Sequence, residues 1–244
     1  MESRKHCVIT YDGKKLNEIV PGYLTINVEG RGLLAPDLNT ITIEGRDGDY
    51  VLNQDFKARD IKVYFLIKAK NNRERLEIIE KLDVYLKTDK DVEFSFEDQD
   101  GFWIGRYSDA QDINFDYFTG VGYFVLHCQN PHRHMPLIKY SSLTFTVESD
   151  LYKKLELYEL KASVSNTKEV RLTNKTKGEV ISLKNLPSLG DLIINKKEIT
   201  LNGKSIINKL DPSVSTWKNF RISSGDILTI SGVSESACSI RRYL

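Results

Sequence analysis

The chain has 244 residues, 40% of them hydrophobic and 28% charged, with 35 basic side chains against 34 acidic. Such a length carries either one large β domain or two domains with their own cores, and the two-domain reading is preferred. Near-neutral charge weighs against a dedicated nucleic-acid binder, which needs a basic surface, and the lack of low-complexity tracts weighs against disorder.

Cys7, Cys128 and Cys238 are odd in number, far apart and without CxxC spacing. Neither a disulfide framework nor a zinc knuckle is expected, and maturation in a reducing cytosol is. Met1-Glu2-Ser3-Arg4-Lys5-His6 is followed by no apolar signal region, and no apolar run of about 18 residues could span a bilayer. A soluble protein, unexported by the ordinary route, is the expectation.

Residues 7–11 predict a first strand ending in the tight-turn pair Asp12-Gly13. Leu24, Ile26 and Val28 alternate with polar neighbours and predict a second. The following loop, residues 30–36, exposes Leu33 and Leu34, which either tuck under a neighbour or meet another subunit. Ile41 and Ile43 alternate with Thr40, Thr42 and Glu44, predicting a half-buried strand before Gly45-Arg46-Asp47-Gly48-Asp49 breaks the pattern. Ile61, Val63, Phe65 and Ile67, with Tyr64 and Leu66 between them, predict a central strand apolar on both faces. Asn71 then reads as a helix cap with Glu74 reaching back, and Leu76, Ile79, Leu82 and Leu86 as the apolar stripe of the one long helix. Arg73, Glu77 and Lys81 pair on its solvent side.

The order of these elements, with Ile43-Glu44-Gly45-Arg46-Asp47-Gly48 before the later strand and Arg59-Asp60-Ile61-Lys62-Val63 opening it, resembles the N-terminal domain of the distal tail proteins of long-tailed phages. Past the helix, Val92, Phe94 and Phe96 pair across the 97–101 turn with residues 102–107, and Ile113, Phe115 and Tyr117-Phe118 lead to an aromatic-rich strand over 121–128. The resemblance also covers the Cys-x-x-Pro-like end of that strand, Cys128-Gln129-Asn130-Pro131. Prolines at 131 and 136 mark a boundary between domains 1–136 and 137–244.

The second half is strand-like to its end. Leu143, Phe145 and Val147 alternate, whereas Leu155, Leu157 and Leu160 fit a strand or a short helix. Hairpins follow around 174–178 and around Lys196-Lys197, then Trp217, Phe220 and Ile222, a turn at Ser224-Gly225-Asp226, and strands over 227–231 and 239–244. Strands at spacings near ten residues predict an antiparallel sandwich or jelly roll. Leu172-Thr173-Asn174, Gly190-Asp191-Leu192-Ile193-Ile194-Asn195 and Trp217-Lys218-Asn219-Phe220-Arg221-Ile222 are similar to the galectin-like C-terminal domain of the same family, although Ser224-Gly225-Asp226 stands where the family has a Pro-Gly-Asn-like turn. The fold class expected is mainly β: a sandwich-like first domain with one α-helix and a galectin-like antiparallel β-sandwich.

Chemistry is weakly signalled. The Glu97-Asp98-Gln99-Asp100-Gly101 cluster suits a hairpin loop and lacks the ligand spacing of a calcium site. His127, Cys128, His132 and His134 lack regular metal-ligand spacing, and the Asn130-Pro131 stretch matches galectin sugar residues only by coincidence. Trp217 could stack on a sugar but reads better as core. No nucleophile elbow, phosphate loop or His-Glu-x-x-His is present. No cofactor, metal or catalytic residue is expected.

The resemblance implies a structural virion protein at the tail tip, assembled in the host cytoplasm: a hexameric ring, single or stacked. It would join the tail tube to a tail-associated hub or lysozyme protein and carry receptor-binding proteins, with no membrane and with DNA only passing through its channel. Leu33, Leu34 and the loop Arg46-Asp47-Gly48-Asp49-Tyr50 are the candidate ring contacts. The rival readings are a module binding a host cell-wall glycan and a glycosidase using paired carboxylates.

Overall fold

Strands make up most of the computed structural model, as the period-two patterning requires. It describes residues 7–111, 113–116, 119–148, 154–165, 167–186 and 189–244, so Tyr117 and Phe118 lie outside the described residues. The chain divides into two compact units, residues 1–133 and 134–244.

The first unit contains β1 (Ile9–Tyr11), β2 (Lys14–Lys15), the single turn α1 (Leu16–Ile19), β3 (Tyr23–Glu29), β4 (Asp37–Thr42), β5 (Asp49–Asp55) and β6 (Arg59–Lys68). It continues with α2 (Asn72–Leu86), β7 (Val92–Phe96), β8 (Gln99–Ala110), β9 (Asn114–Asp116) and β10 (Thr119–Cys128). One sheet runs in the order β2-β1-β7-β8-β10-β6-β3, with β9 beside β10. The long β8 holds it together, because its first half pairs with β7 and its second with β10. Tyr11, Ile61, Val63, Phe94, Trp103 and Phe124 pack on the inner face, and α2 closes it with Ile78, Leu82 and Leu86.

The helix starts as its sequence dictates: Asn71 accepts a bond from the Glu74 N–H at 2.9 Å. Glu74 itself reaches back one residue further than a capping box does, to the N–H of Lys70 at 2.6 Å. Arg73 donates to Glu77 at 3.1 Å on the solvent side. Leu76 does not belong to the inward stripe. At 3.6 residues per turn it lies about 200° from Ile78, and it is 48% exposed.

Two expected strands also differ. In β3 the inward phase is Tyr23 and Thr25, not Leu24 and Ile26, and a bulge between Thr25 and Asn27 leaves Ile26 exposed and returns Val28 to the core side. Ile41 and Ile43 do not sit on a half-buried strand: β4 pairs only with β5, in a separate two-stranded sheet.

The second unit contains β11 (Ile138–Tyr140), β12 (Thr144–Thr146), β13 (Lys154–Ser165), β14 (Glu169–Asn174), β15 (Glu179–Lys184) and β16 (Leu189–Ile194). Then come β17 (Ile199–Leu201), β18 (Lys204–Ser205), 3₁₀ turns at Ile207–Lys209 and Trp217–Asn219, β19 (Ile227–Ser231) and β20 (Glu235–Tyr243). A six-stranded sheet, β11-β20-β13-β16-β17-β18, and a four-stranded sheet, β12-β19-β14-β15, share one apolar core, which is the definition of a sandwich. The segment left open between helix and strand is β13. A bulge between Leu157 and Glu159 explains its irregular period and lets Leu155, Leu157 and Leu160 all face inward.

A buried polar clamp ties two turns of this sandwich. The Asp226 carboxylate accepts from Asn174 (2.7 Å) and the Ser223 N–H (2.8 Å) and pairs with Lys177 at 3.0 Å. Glu179 takes both the backbone N–H and the guanidinium of Arg221, at 2.6 and 2.7 Å. Burial pulls both carboxyls up, but these donors outweigh it and hold them below the ordinary carboxylate range. A carboxylate with a lower folded pKa binds its proton more tightly in the unfolded chain, so its stabilisation is complete above the unfolded value of about 4 and is lost as pH falls through the folded one. Asp226→Asn should therefore cost about 2–4 kcal/mol at neutral pH. Acid titration followed by near-ultraviolet circular dichroism should show the gap from wild type closing below pH ~4.

Candidate functional site

β3 and β6 are antiparallel neighbours, in register from Tyr23 opposite Ile67 to Glu29 opposite Lys62. A turn of about 2–5 residues would join such a pair. The chain instead uses residues 30–58. Connections this long in a compact unit are as a rule functional.

The excursion is anchored where it leaves. Gly30 has φ +84°, and a Cβ there would lie 2.2 Å from the Asp60 carbonyl oxygen, so only glycine fits. Arg31 then grips Asp98 with a two-pronged fork at 2.6 and 2.9 Å, its guanidinium 4.6 Å over the Phe96 ring. That fork holds the Asp98 carboxyl below its ordinary range. The acidic 97–101 turn is thus a structural anchor, with Glu97 on Lys15 at 2.6 Å. Past this base Leu33 stands wholly in solvent at 106% exposure, while Leu34 is half-buried.

β4 and β5 then form a hairpin in which every residue is exposed, as is all of 35–58. Ile41 faces Tyr50 across the pair, and Val51, the next residue, points to the opposite side, so both faces are apolar. Leu38, Ile43 and Leu52 extend these surfaces, Leu52 being 58% exposed. Arg46, Asp47, Gly48, Asp49 and Tyr50 make the tip: Arg46 lies 4.4 Å over the Tyr50 ring, and Thr42 donates to Asp49 at 2.7 Å. At the base Lys57 pairs with Asp37 at 2.7 Å. A two-stranded hairpin is marginal in water by itself, and this one leaves Leu38, Ile41, Ile43, Tyr50, Val51 and Leu52 exposed. Leu33, Leu34 and the 46–50 tip therefore lie on one excursion, to which the structure adds Leu38, Val51 and Leu52.

The histidines take separate partners. His127 meets Asp60 at 2.7 Å, His132 stacks edge-on against Phe56, and His134 does so against Tyr243. Among the described residues no group of three or more potential metal ligands occurs. Burial pushes the Cys128 and Cys238 thiols up to about 12, and burial with Asp98 alongside does the same for Cys7, so all three stay protonated. Trp217 is core, 6% exposed, its indole N–H donating to the Asn195 carbonyl at 2.7 Å, and it offers no sugar platform.

Residues 11–126 match the family described as phage tail protein RIFT-related domain. The Dit protein of phage SPP1, described as a paradigm of the hub adsorption apparatus in Gram-positive infecting phages, has the same fold. Its TM-score is 0.84 at 19% identity over 98% of this chain and 100% of that one. The chain thus has a Dit-like fold. A protein of the phage P2 baseplate in its activated conformation with Ca is similar over 97% of both chains, with TM-score 0.59 and 11% identity. A second P2 baseplate structure, with Sr, gives 0.52 and 10% over 98% and 97%. No protein of curated function matches the sequence.

Two glycines of the first unit separate backbone strain from contact. Gly48 has φ +81° but open space around a Cβ, whereas Gly30 has the same hand and a 2.2 Å obstruction. Gly48→Ala should cost about 1–2 kcal/mol. Gly30→Ala should cost clearly more in denaturant titration, because β6 must move to admit the methyl group.

Proposed function

We propose that this protein is a structural hub component of the tail tip that assembles through the 30–58 excursion into a closed, hexameric ring. The ring lies between the tail tube and the tail-associated hub or lysozyme protein. It leaves a channel for DNA, and the second units serve as a platform for receptor-binding proteins. Its place is the virion, after assembly in the host cytoplasm, and no bond is made or broken by it.

The observation that carries this reading is the hairpin β4–β5, ordered by its own polar contacts yet apolar on both uncovered faces. A ring needs a heterologous contact in which one patch meets a different patch on the next copy. β3, seven residues long, ends the eight-stranded sheet and offers such a patch, because an edge strand can accept a neighbour's strand. The SPP1 hub protein supplies the precedent for fold, not for the contact.

The purified chain should sediment as a multimer of a single size. Val51→Asp with Leu52→Asp should give a folded monomer, with far-ultraviolet circular dichroism unchanged, since neither side chain supports the unit's core. Milder truncations, Leu33→Ala and Tyr50→Ala, should each weaken assembly by about 1–2 kcal/mol, roughly tenfold in the subunit dissociation constant. Sedimentation indifferent to all four changes would remove the excursion from the interface.

A further inference from the structure

A recess of about 410 Å³ opens on the outer face of the second unit's six-stranded sheet, where β13, β20 and the turn after β16 meet. Its floor is made by the β13 bulge, which adds a residue between Leu157 and Glu159 and leaves Tyr158 standing outward, 48% exposed. Lys196, Lys197 and Arg241 converge on it. Lys154 stands at the rim, 5.3 Å over the Tyr243 ring.

Among the described residues the four cations at the recess, Lys154, Lys196, Lys197 and Arg241, outnumber the two acids that line it. Two acids line the recess, and Glu156 is already engaged by Lys196 and by the Tyr243 hydroxyl at 2.5 Å. Glu159 is turned to Lys161 at 2.8 Å. Lys154 and Lys197 thus lack a carboxylate of their own among the described ion pairs. Burial holds the Lys154 ammonium below its ordinary value, and burial, with the Lys154 charge behind it, does the same for Lys196. Concentrating like charges in a concave site costs free energy that an anion would return.

The display is rigid. Asn195 accepts from the backbone N–H groups of Lys197 and Glu198 at 2.8 and 2.9 Å, fixing the turn. From below, Trp217 and Lys218 bond the carbonyls of Asn195 and Lys196 at 2.7 and 3.1 Å. Arg241 lies 4.7 Å over the Tyr158 ring and anchors to the Met135 carbonyl at 3.1 Å. An anion entering here meets cations that need little reorganisation, and the body attached to it meets the Tyr158 ring.

The geometry points to a binding site for a phosphorylated polyol or sugar: the phosphate lies between Lys154, Lys196 and Lys197, and the hydroxylated carbon skeleton lies against Tyr158. The ring assigns the second component, because a bare inorganic anion gains nothing from an exposed aromatic wall. This site is independent of the assembly surface, which belongs to the first unit.

The test is calorimetric titration of the full chain with glycerol 3-phosphate, inorganic phosphate and glycerol, at low ionic strength so that screening does not mask the charge contribution. Glycerol 3-phosphate should bind more tightly than phosphate, and glycerol should not bind. Lys154→Gln with Lys197→Gln should weaken binding by about tenfold or more without changing the melting temperature. Tyr158→Ala should erase the preference over phosphate. Equal affinity for the two phosphates overturns the polyol assignment, and undiminished binding by the double lysine variant, or no binding by wild type, overturns the site.

Discussion

Backbone hydrogen bonds on an open strand edge, together with apolar side chains on an uncovered face, constrain every β protein, and the two units meet that constraint in opposite ways. In the second unit the edges are short or covered. β11, β12 and β18 are three, three and two residues long. The outer edge of β15 is satisfied by the passing 210–216 segment: the N–H groups of Asp211 and Thr216 bond the carbonyls of Ser182 and Val180 at 2.9 and 2.7 Å, and the Ser215 hydroxyl accepts from the Ser182 N–H. Such an edge resists pairing with another chain. In the first unit a seven-residue strand ends the sheet, and the β4–β5 hairpin pairs with no further strand.

This asymmetry also explains the polar clamp. Asn174, Glu179 and Asp226 are buried in a sandwich whose loops would otherwise be held only by the apolar core, and they lock the 174–178 and 221–226 turns together. Buried carboxylates are tolerated because each meets several donors, so that desolvation is offset by charge-assisted bonds. The second unit is therefore rigid at the ends of its strands as well as in its core.

Much of the fold was legible in the sequence, for reasons that also mark where reading stopped. The strand at Ile61, Val63, Phe65 and Ile67 and the hairpins of the second half obey period two because one face is buried. Asn71 announced the helix because capping is local chemistry. β5 was not legible: Tyr50, Val51 and Leu52 are consecutive apolar residues, and a hairpin exposed on both faces has no inside to impose alternation. The glycine turn therefore seemed to lead to β6, when it closes onto β5. The bulges in β3 and β13 defeated the same rule from within, since one inserted residue swaps the faces of all that follow. Leu33 and the 46–50 tip stood out by glycine chemistry and exposure, whereas Leu38, Val51 and Leu52 needed coordinates. The length of the 30–58 connection was the signal available beforehand, and it becomes visible only once β3 and β6 are known to be neighbours.

The placement of the hairpin matters as much as its surface. An extension at a chain terminus would be tethered once and would lose much conformational freedom on docking. This one joins the unit at both ends: it leaves at Gly30, close against the Asp60 backbone, with Arg31 forked onto Asp98, and it returns directly into β6, while Lys57 and Asp37 close its own base. β6 is bonded along its length to both β10 and β3, and its inward side chains form the middle of the core. The hairpin thus runs directly into a strand held on both sides, and the Arg31 fork fixes its other end. The insertion between the edge strand β3 and the central strand β6, rather than any single side chain, is what holds the exposed hairpin to the unit at both of its ends.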